Sequence, residues 1–384
     1  MRALRRAAIT LGTAALLLTT VLIAGPASAV TPGQAWAVGN NGYGQLGDGT
    51  TTTRSVPGTV LGLSGVKAIA AGSTHSLALR SDGTVWAWGD NWTGQLGDGT
   101  TTGRTTPVKV RGLSGVKAIA AGVVHSLALR GDGTVWSWGY NGMGQIGDGT
   151  SIMTRTTPVK VLGLSGVKAI AAGFYNGFAL LADGTVRGWG GDYCGQLGDG
   201  DTLNRYSPVR VLRGLSGIKA IAPGEGHTLV LLTNGTVRAL GCNGYGQLGD
   251  GTINNVKTSP VRVKGLSGVT CIAAGLVHSL ALLGDGTVRA WGNNDWGQLG
   301  DGTVTTRVTS VKVLRVSSVV TIAAGANHNL AARSDGTVRG WGNNGHGQLG
   351  DGNVNVVQAT AVRALRLAGI KGLAGGWFHS LART

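Results

Sequence analysis

Gly94-Gln95-Leu96-Gly97-Asp98-Gly99-Thr100 is one of seven near-copies of a single heptapeptide, which begin at Gly44, Gly94, Gly144, Gly195, Gly246, Gly297 and Gly347, 50 or 51 residues apart. A period this regular marks a repeat architecture. With Gly89 just upstream, the stretch offers four glycines that admit positive φ without steric cost, so it reads as a turn placed at a module boundary.

Outward from this turn the whole unit recurs: Val66 to Gly72 (VKAIAAG), His75 to Leu79 (HSLAL), Ser81-Asp82-Gly83, Thr84 to Trp88 (TVWAW), the heptapeptide, and Pro107 to Val110 (PVKV). Short apolar or alternating runs bounded by Gly and Asp read as strands, and Asp-Gly between two of them reads as a hairpin. Four short strands per period of about 50 suit a propeller blade, and no helical apolar spacing follows residue 30.

The two ends of the chain complete each other. Ala35 to Gly39 (AWAVG) aligns with a third strand, whereas Ile370 to Gly376 and His379 to Ala382 are the first and second strands of a unit that stops at Thr384. Joining the halves makes a seventh blade and removes the open ends that a linear solenoid would have to cap. The expectation is an all-β, seven-bladed propeller of four-stranded blades, forming one domain over 30–384, closed by a blade split between the termini.

Residues 1–29 stand apart. Arg2, Arg5 and Arg6 precede an apolar run to about Ala24 and the small-residue pattern Ala27-Ser28-Ala29, as in a secretory signal peptide. The run is short for a membrane span and contains Thr and Gly, so no span is expected after its removal, and the location is extracellular. Of three cysteines, Cys271 takes an alanine position of the first strand. Cys194 and Cys242 fall in the loops after the third strands of successive blades; a secreted context permits a bridge, and spacing alone leaves open whether their Cα atoms approach within about 7 Å.

The formal charge is +16, or +13 without the three leader arginines. Lys109, Lys160, Arg210, Arg262, Lys312 and Arg363 recur on fourth strands and Arg187, Arg238, Arg289 and Arg339 on third strands, which makes a belt without a focusing cleft. Stacking aromatics are missing from the Arg-bearing strands, so no nucleic-acid partner is expected, and an anionic envelope polymer is the alternative partner.

The units Gly-x-x-His-Ser-Leu-Ala-Leu, Asp-Gly-Thr-Val-x-x-Trp-Gly and Gly-Gln-Leu-Gly-Asp-Gly resemble the regulator of chromosome condensation repeat from about Ala35 to Ala382. The resemblance implies a seven-bladed propeller with split-blade closure and leaves function open. Among members, the SGV-x-AIAAG-x-x-HSLAL wording is most similar to beta-lactamase inhibitory protein II, a secreted bacterial propeller whose aromatic-rich face binds class A beta-lactamases. The nucleotide-exchange activity of the nuclear founder does not suit a secreted chain. The tryptophan clusters of the plant ultraviolet-B photoreceptor are approached only at Gly376-Trp377-Phe378-His379-Ser380.

Candidate chemistry is sparse. His75, His125, His227, His278, His328 and His379 share one place in the unit, with Asn176 in the seventh, and read as structural hydrogen bonds to a neighbouring loop rather than metal ligands. Asp48, Asp98, Asp148, Asp199, Asp250, Asp301 and Asp351 each sit alone between glycines and read as turn caps rather than calcium ligands; Asp199 with Asp201 is the one local pair. No nucleophile elbow, phosphate loop or HExxH run occurs. The expectation is a monomeric protein-binding module without catalytic residues, metal or cofactor, whose partner is an extracellular or cell-wall protein.

Strand order selects the face. In up-down-up-down blades the first and third connections emerge together, and there the copies differ and the aromatics lie: Phe174, Tyr175, Trp377 and Phe378 in first connections, and Tyr43, Trp92, Tyr140, Tyr193, Tyr245 and Trp296 in third ones. Those ten are the expected protein-binding residues, the first four foremost because short turns hold side chains rigidly.

Overall fold

The computed structural model describes residues 33–253 and 256–384; the expected leader, 1–29, lies outside the described residues. Seven antiparallel four-stranded sheets follow one another around an axis. Blades one to six occupy 66–109, 116–160, 167–211, 218–262, 269–312 and 319–363. Blade seven is the expected composite, Gly372–Gly375 and His379–Arg383 from one end of the chain with Ala35–Gly39 and Arg54–Thr59 from the other. Its seam is a five-residue antiparallel register running from Ala35 opposite Arg383 to Gly39 opposite His379.

The alanine-rich first strands are innermost, because only small side chains let seven sheets converge on one axis. Ala71, Ala121, Ala172, Ala274 and Ala324, with the glycines that follow them, line the axial opening. Gly72 shows why its position excludes a side chain: a Cβ there would collide with the His75 imidazole and come within 2.6 Å of the Gly122 carbonyl of the next blade.

Five blades are tied to the next through their histidines, by a route different from the loop expected. The partner is the hydroxyl that follows the next histidine in the neighbouring second strand. His75 Nε2 lies 3.1 Å from Ser126 Oγ, His227 3.0 Å from Ser279, His328 2.9 Å from Ser380, and His379 3.0 Å from Ser76. Each of those serines gives its one proton to a heptapeptide glutamine carbonyl, as Ser76 does to Gln45 and Ser126 to Gln95, so the imidazole must be the donor. Asn329 replaces serine after His328 and serves equally, accepting from His278 at 2.8 Å and donating to the Gln298 carbonyl at 2.8 Å. The relay fails on both sides of blade three: His125 faces Gly177 and its Nε2 has no partner among the described residues, and Asn176, in the histidine's place, donates instead to the Gly191 carbonyl of its own blade.

The heptapeptide joins the third and fourth strands within a blade, and its contacts cross to the next blade. Trp88, Trp138, Trp189, Trp291 and Trp341 are fully buried, and each indole N–H donates to the glutamine carbonyl of the preceding blade's loop, at 2.8 to 3.1 Å. Gly47, at φ +67°, passes so close that a Cβ would meet the Trp88 ring at 2.8 Å. Gly49 N–H then bonds the Thr105 carbonyl on the outer strand of that same blade. The loop is therefore a clasp between blades as well as a turn.

Inside the loop the aspartates cap, as expected. Asp98 Oδ1 accepts from Thr100 N and Oγ1, and its Oδ2 pairs with Arg104 at 2.8 Å. Asp48, Asp148, Asp199 and Asp301 are likewise paired, with Arg54, Arg155, Arg205 and Arg307. An asparagine seven residues upstream completes the set: Asn91 Oδ1 accepts from Leu96 N, and its Nδ2 sits among four oxygens, Asp98 Oδ1, Thr100 O, Thr100 Oγ1 and Thr102 O, at 3.0 to 3.3 Å.

Cys194 and Cys242 form a disulfide with Cα atoms 5.2 Å apart, which staples the loops of blades three and four. Cys271 is buried and free. Among the described residues no helix is long and apolar enough to cross a membrane.

Candidate protein-binding face

First and third connections share one face. Asp90 N–H bonds the Thr74 carbonyl, which joins a third connection to a first in blade one, and Asn40 N–H bonds the Phe378 carbonyl in blade seven. At the centre of this face the first connections converge on the axial opening, which Phe174 and Trp377 both line.

A chain of four aromatic rings from three blades starts there. Phe174 of blade three and Trp377 of blade seven are edge to face with centroids 6.3 Å apart, Trp377 and Phe378 are 6.1 Å apart, and His346 of blade six lies 4.9 Å from Phe378. Edge-to-face contact is the favoured geometry for such rings. Phe174, Tyr175 and Trp377 are half-buried and Phe378 is exposed, so the rings are held by neighbours yet present area to solvent. His346 was missed in the sequence because it stands just before its heptapeptide in a third connection; the signal that could have flagged it is that Tyr43, Tyr245 and Trp296 hold the same position in other copies.

The other six candidates do not join this cluster in one patch. Trp92, 80% exposed, and Tyr43, Tyr193, Tyr245 and Trp296 stand out from the third connections of blades one, seven, three, four and five around the rim. Tyr43, Tyr245 and Trp296 have their backbone N–H groups fixed by Gln45, Gln247 and Gln298 side chains two residues on. Tyr140, the last residue of a third strand, folds over its own Gly142 and serves as a cover for its loop. Beside blade four, burial raises the pKa of Glu225, and burial with the nearby Glu225 charge raises those of Tyr175 and Tyr193.

Buried ionisable groups elsewhere are structural. Burial between blades lowers the pKa of His75, His227 and His328 to about 3 and of His125, His278 and His379 to about 4, so all six are neutral near pH 7. Asp192 differs: burial, then the charges of Asp199 and Asp201, push its carboxyl up to about 7.

The opposite end carries the basic belt. Arg187 lies across from Arg210, Arg238 from Arg262, Arg289 from Lys312, and Arg339 from Arg363, in four consecutive blades. None of these eight makes an ion pair among the described residues. In blades one and two the same register pairs Trp86 with Lys109 and Trp136 with Lys160.

A closed ring whose shared polar groups are spent on clasps and caps, with an aromatic mouth built from variable turns, defines a seven-bladed propeller of the regulator-of-chromosome-condensation type. The chain belongs to the RCC1-like family: the RCC1-like domain model matches residues 30–320 and the RCC1 repeat 319–348. Its fold is similar to Prp20p of Saccharomyces cerevisiae, whose structure was described with its binding to Gsp1p and histones, at TM-score 0.81 and 25% identity over 92% of each chain. It is also similar to human WBSCR16, at TM-score 0.82 and 23% identity over 92% of this chain and 98% of that one. Among curated proteins it is similar to the probable E3 ubiquitin-protein ligase HERC3 of Homo sapiens, at 40% identity over 39% of this chain and 15% of that protein. It is similar too to the ultraviolet-B receptor UVR8 of Arabidopsis thaliana, at 35% identity over 38% and 34%. The matches thus span about a third or less of those two relatives.

Proposed function

We propose that this chain is a secreted, monomeric protein-interaction propeller that binds an extracellular or cell-wall protein through the face carrying the axial aromatic cluster. The observation that carries the reading is the chain of contacts Phe174–Trp377–Phe378–His346, from three blades, that begins at the axial opening. Partly exposed aromatic anchors held by neighbours are what interface centres are made of. The Arg-led apolar leader supports secretion. The binding of Gsp1p and histones by Prp20p supports a protein partner. The likeness of the repeat wording to beta-lactamase inhibitory protein II favours an inhibitor-like role against an extracellular enzyme. A binder is favoured over a catalyst because the repeated His groups and Gln carbonyls are consumed between blades and the repeated Asp groups within their own loops.

A second reading, binding of an anionic envelope polymer, rests on the four like-charge pairs of the opposite end. Like charges directly opposite in a sheet are unfavourable without a counter-ion. Both readings are tested by capture from culture medium with immobilised protein and with a Phe174→Ala, Tyr175→Ala, Trp377→Ala, Phe378→Ala variant, each washed at about 0.3 M salt. A protein retained by the parent alone supports the aromatic face. Equal retention by both places binding elsewhere, and salt-resistant retention of wall polymer by both favours the basic end.

A further inference from the structure

The loop of blade three departs from its six siblings at two positions, and both departures add a carboxylate. Where the others have Asn41, Asn91, Asn141, Asn243, Asn294 and Asn344, it has Asp192; where they have Thr50, Thr100, Thr150, Thr252, Thr303 and Asn353, it has Asp201. Oxygens of Asp192, Asp199 and Asp201 lie within 4.8 Å of one another. We propose that these three residues form a site for one hard divalent cation, calcium first.

The siblings show what is missing. Asn91 Nδ2 fills a pocket of four oxygens, and comparable bonds hold Asn41, Asn243 and Asn294. Asp192 keeps half of the role, since its Oδ1 accepts from Leu197 N at 2.7 Å as the asparagine Oδ1 does. Its other oxygen replaces the donor with an acceptor. Asp192 is 0% exposed, and Oδ2 has no partner among the described residues. An unpaired carboxylate oxygen at such a place is costly unless something positive meets it.

Arg205 does not meet it, being engaged with Asp199 through Nε at 2.6 Å and with Asp201 through Nη2 at 2.5 Å. With all three ionised, the carboxylates exceed the one guanidinium by two negative charges, which matches one divalent ion. Calcium takes six to eight oxygens, commonly carboxylates, main-chain carbonyls and water. Besides the carboxylates, residues 201 and 203 occupy the positions whose carbonyls face the amide in blade one. The Asp201 side chain is 46% exposed, which leaves the site open to solvent for exchange.

The test uses the whole protein and a variant that restores the sibling loop, Asp192→Asn with Asp201→Thr. Melting temperature is measured in EDTA and in about 1 mM calcium, and terbium luminescence sensitised by the neighbouring tyrosines reports stoichiometry. The expected result is a rise of about 2 °C with calcium for the parent, one terbium per chain displaced by calcium, and no response from a variant that melts in EDTA at least as high as the parent. A parent indifferent to calcium, magnesium and manganese, with the variant simply more stable, would show that the carboxylates share a proton only. A variant that keeps the calcium response would place the ion elsewhere. Either result overturns the proposal, and neither bears on the aromatic face.

Discussion

His379 Nε2 lies 3.0 Å from Ser76 Oγ, across 303 residues of chain, and repeats at the seam the bond that His75 makes to Ser126. Blade seven, though made from both ends, is clasped to blade one like the other paired blades. Ser76→Ala removes the acceptor of a buried imidazole N–H and the donor to the Gln45 carbonyl. The cost expected is about 1 to 3 kcal/mol, read as a lower denaturant midpoint with unchanged slope.

Acid should open the ring in a particular window. The six histidines have folded pKa values of about 3 to 4 against 6.5 when unfolded, so their stabilisation is complete above pH 6.5 and is lost as pH falls towards 4. Each fully buried ring costs about 2 kcal/mol at pH 5 by linkage. Urea titrations at pH 7.5, 6 and 5 should show a steep decline, and His75→Asn, which copies the Asn176 blade, should flatten it. A midpoint constant down to pH 4.5 would contradict neutral buried imidazoles.

The broken relay at His125 tempts repair, yet Gly177→Ser should destabilise. The hydroxyl would supply an acceptor worth about 1 kcal/mol, but the new Cβ would fall 2.5 Å from the Trp189 ring, and overpacking costs about 1 to 3 kcal/mol. Calorimetry of the variant at pH 7.5 decides which effect wins, and a raised melting temperature would refute the steric argument.

Much of this architecture was legible from one heptapeptide and two chain ends, because period and strand alternation are local properties of sequence. The aspartate caps were legible for the same reason, as Asp98 bonds a threonine two residues away. What the heptapeptide reaches was not. Trp88 and Gln45 are 43 residues apart and meet only once two sheets are packed, so the loop reads as a boundary turn when it is also a clasp. The histidine partner was expected on a loop for the same reason. The axial cluster was half visible: Phe174 and Trp377 were singled out, but their contact across the opening depends on ring closure.

The Cys194–Cys242 bond closes a segment with a sequence separation of 48, for which loop-closure entropy gives about 4 kcal/mol. Cys194→Ser with Cys242→Ser should therefore lower the melting temperature by several degrees. The mass of the unreduced parent should be lower than that of the reduced protein by two hydrogens, and a parent with three free thiols would contradict the bridge.

Under the proposed function the aromatic mouth is the binding surface. Titration calorimetry of the captured partner against Trp377→Ala, and against Ser334→Trp, which adds bulk to an exposed turn on the opposite face, separates the two ends most directly. Trp377→Ala should weaken binding about 30-fold, equivalent to about 2 kcal/mol, while Ser334→Trp should leave it unchanged. Full affinity in Trp377→Ala with loss in Ser334→Trp would contradict the proposed function.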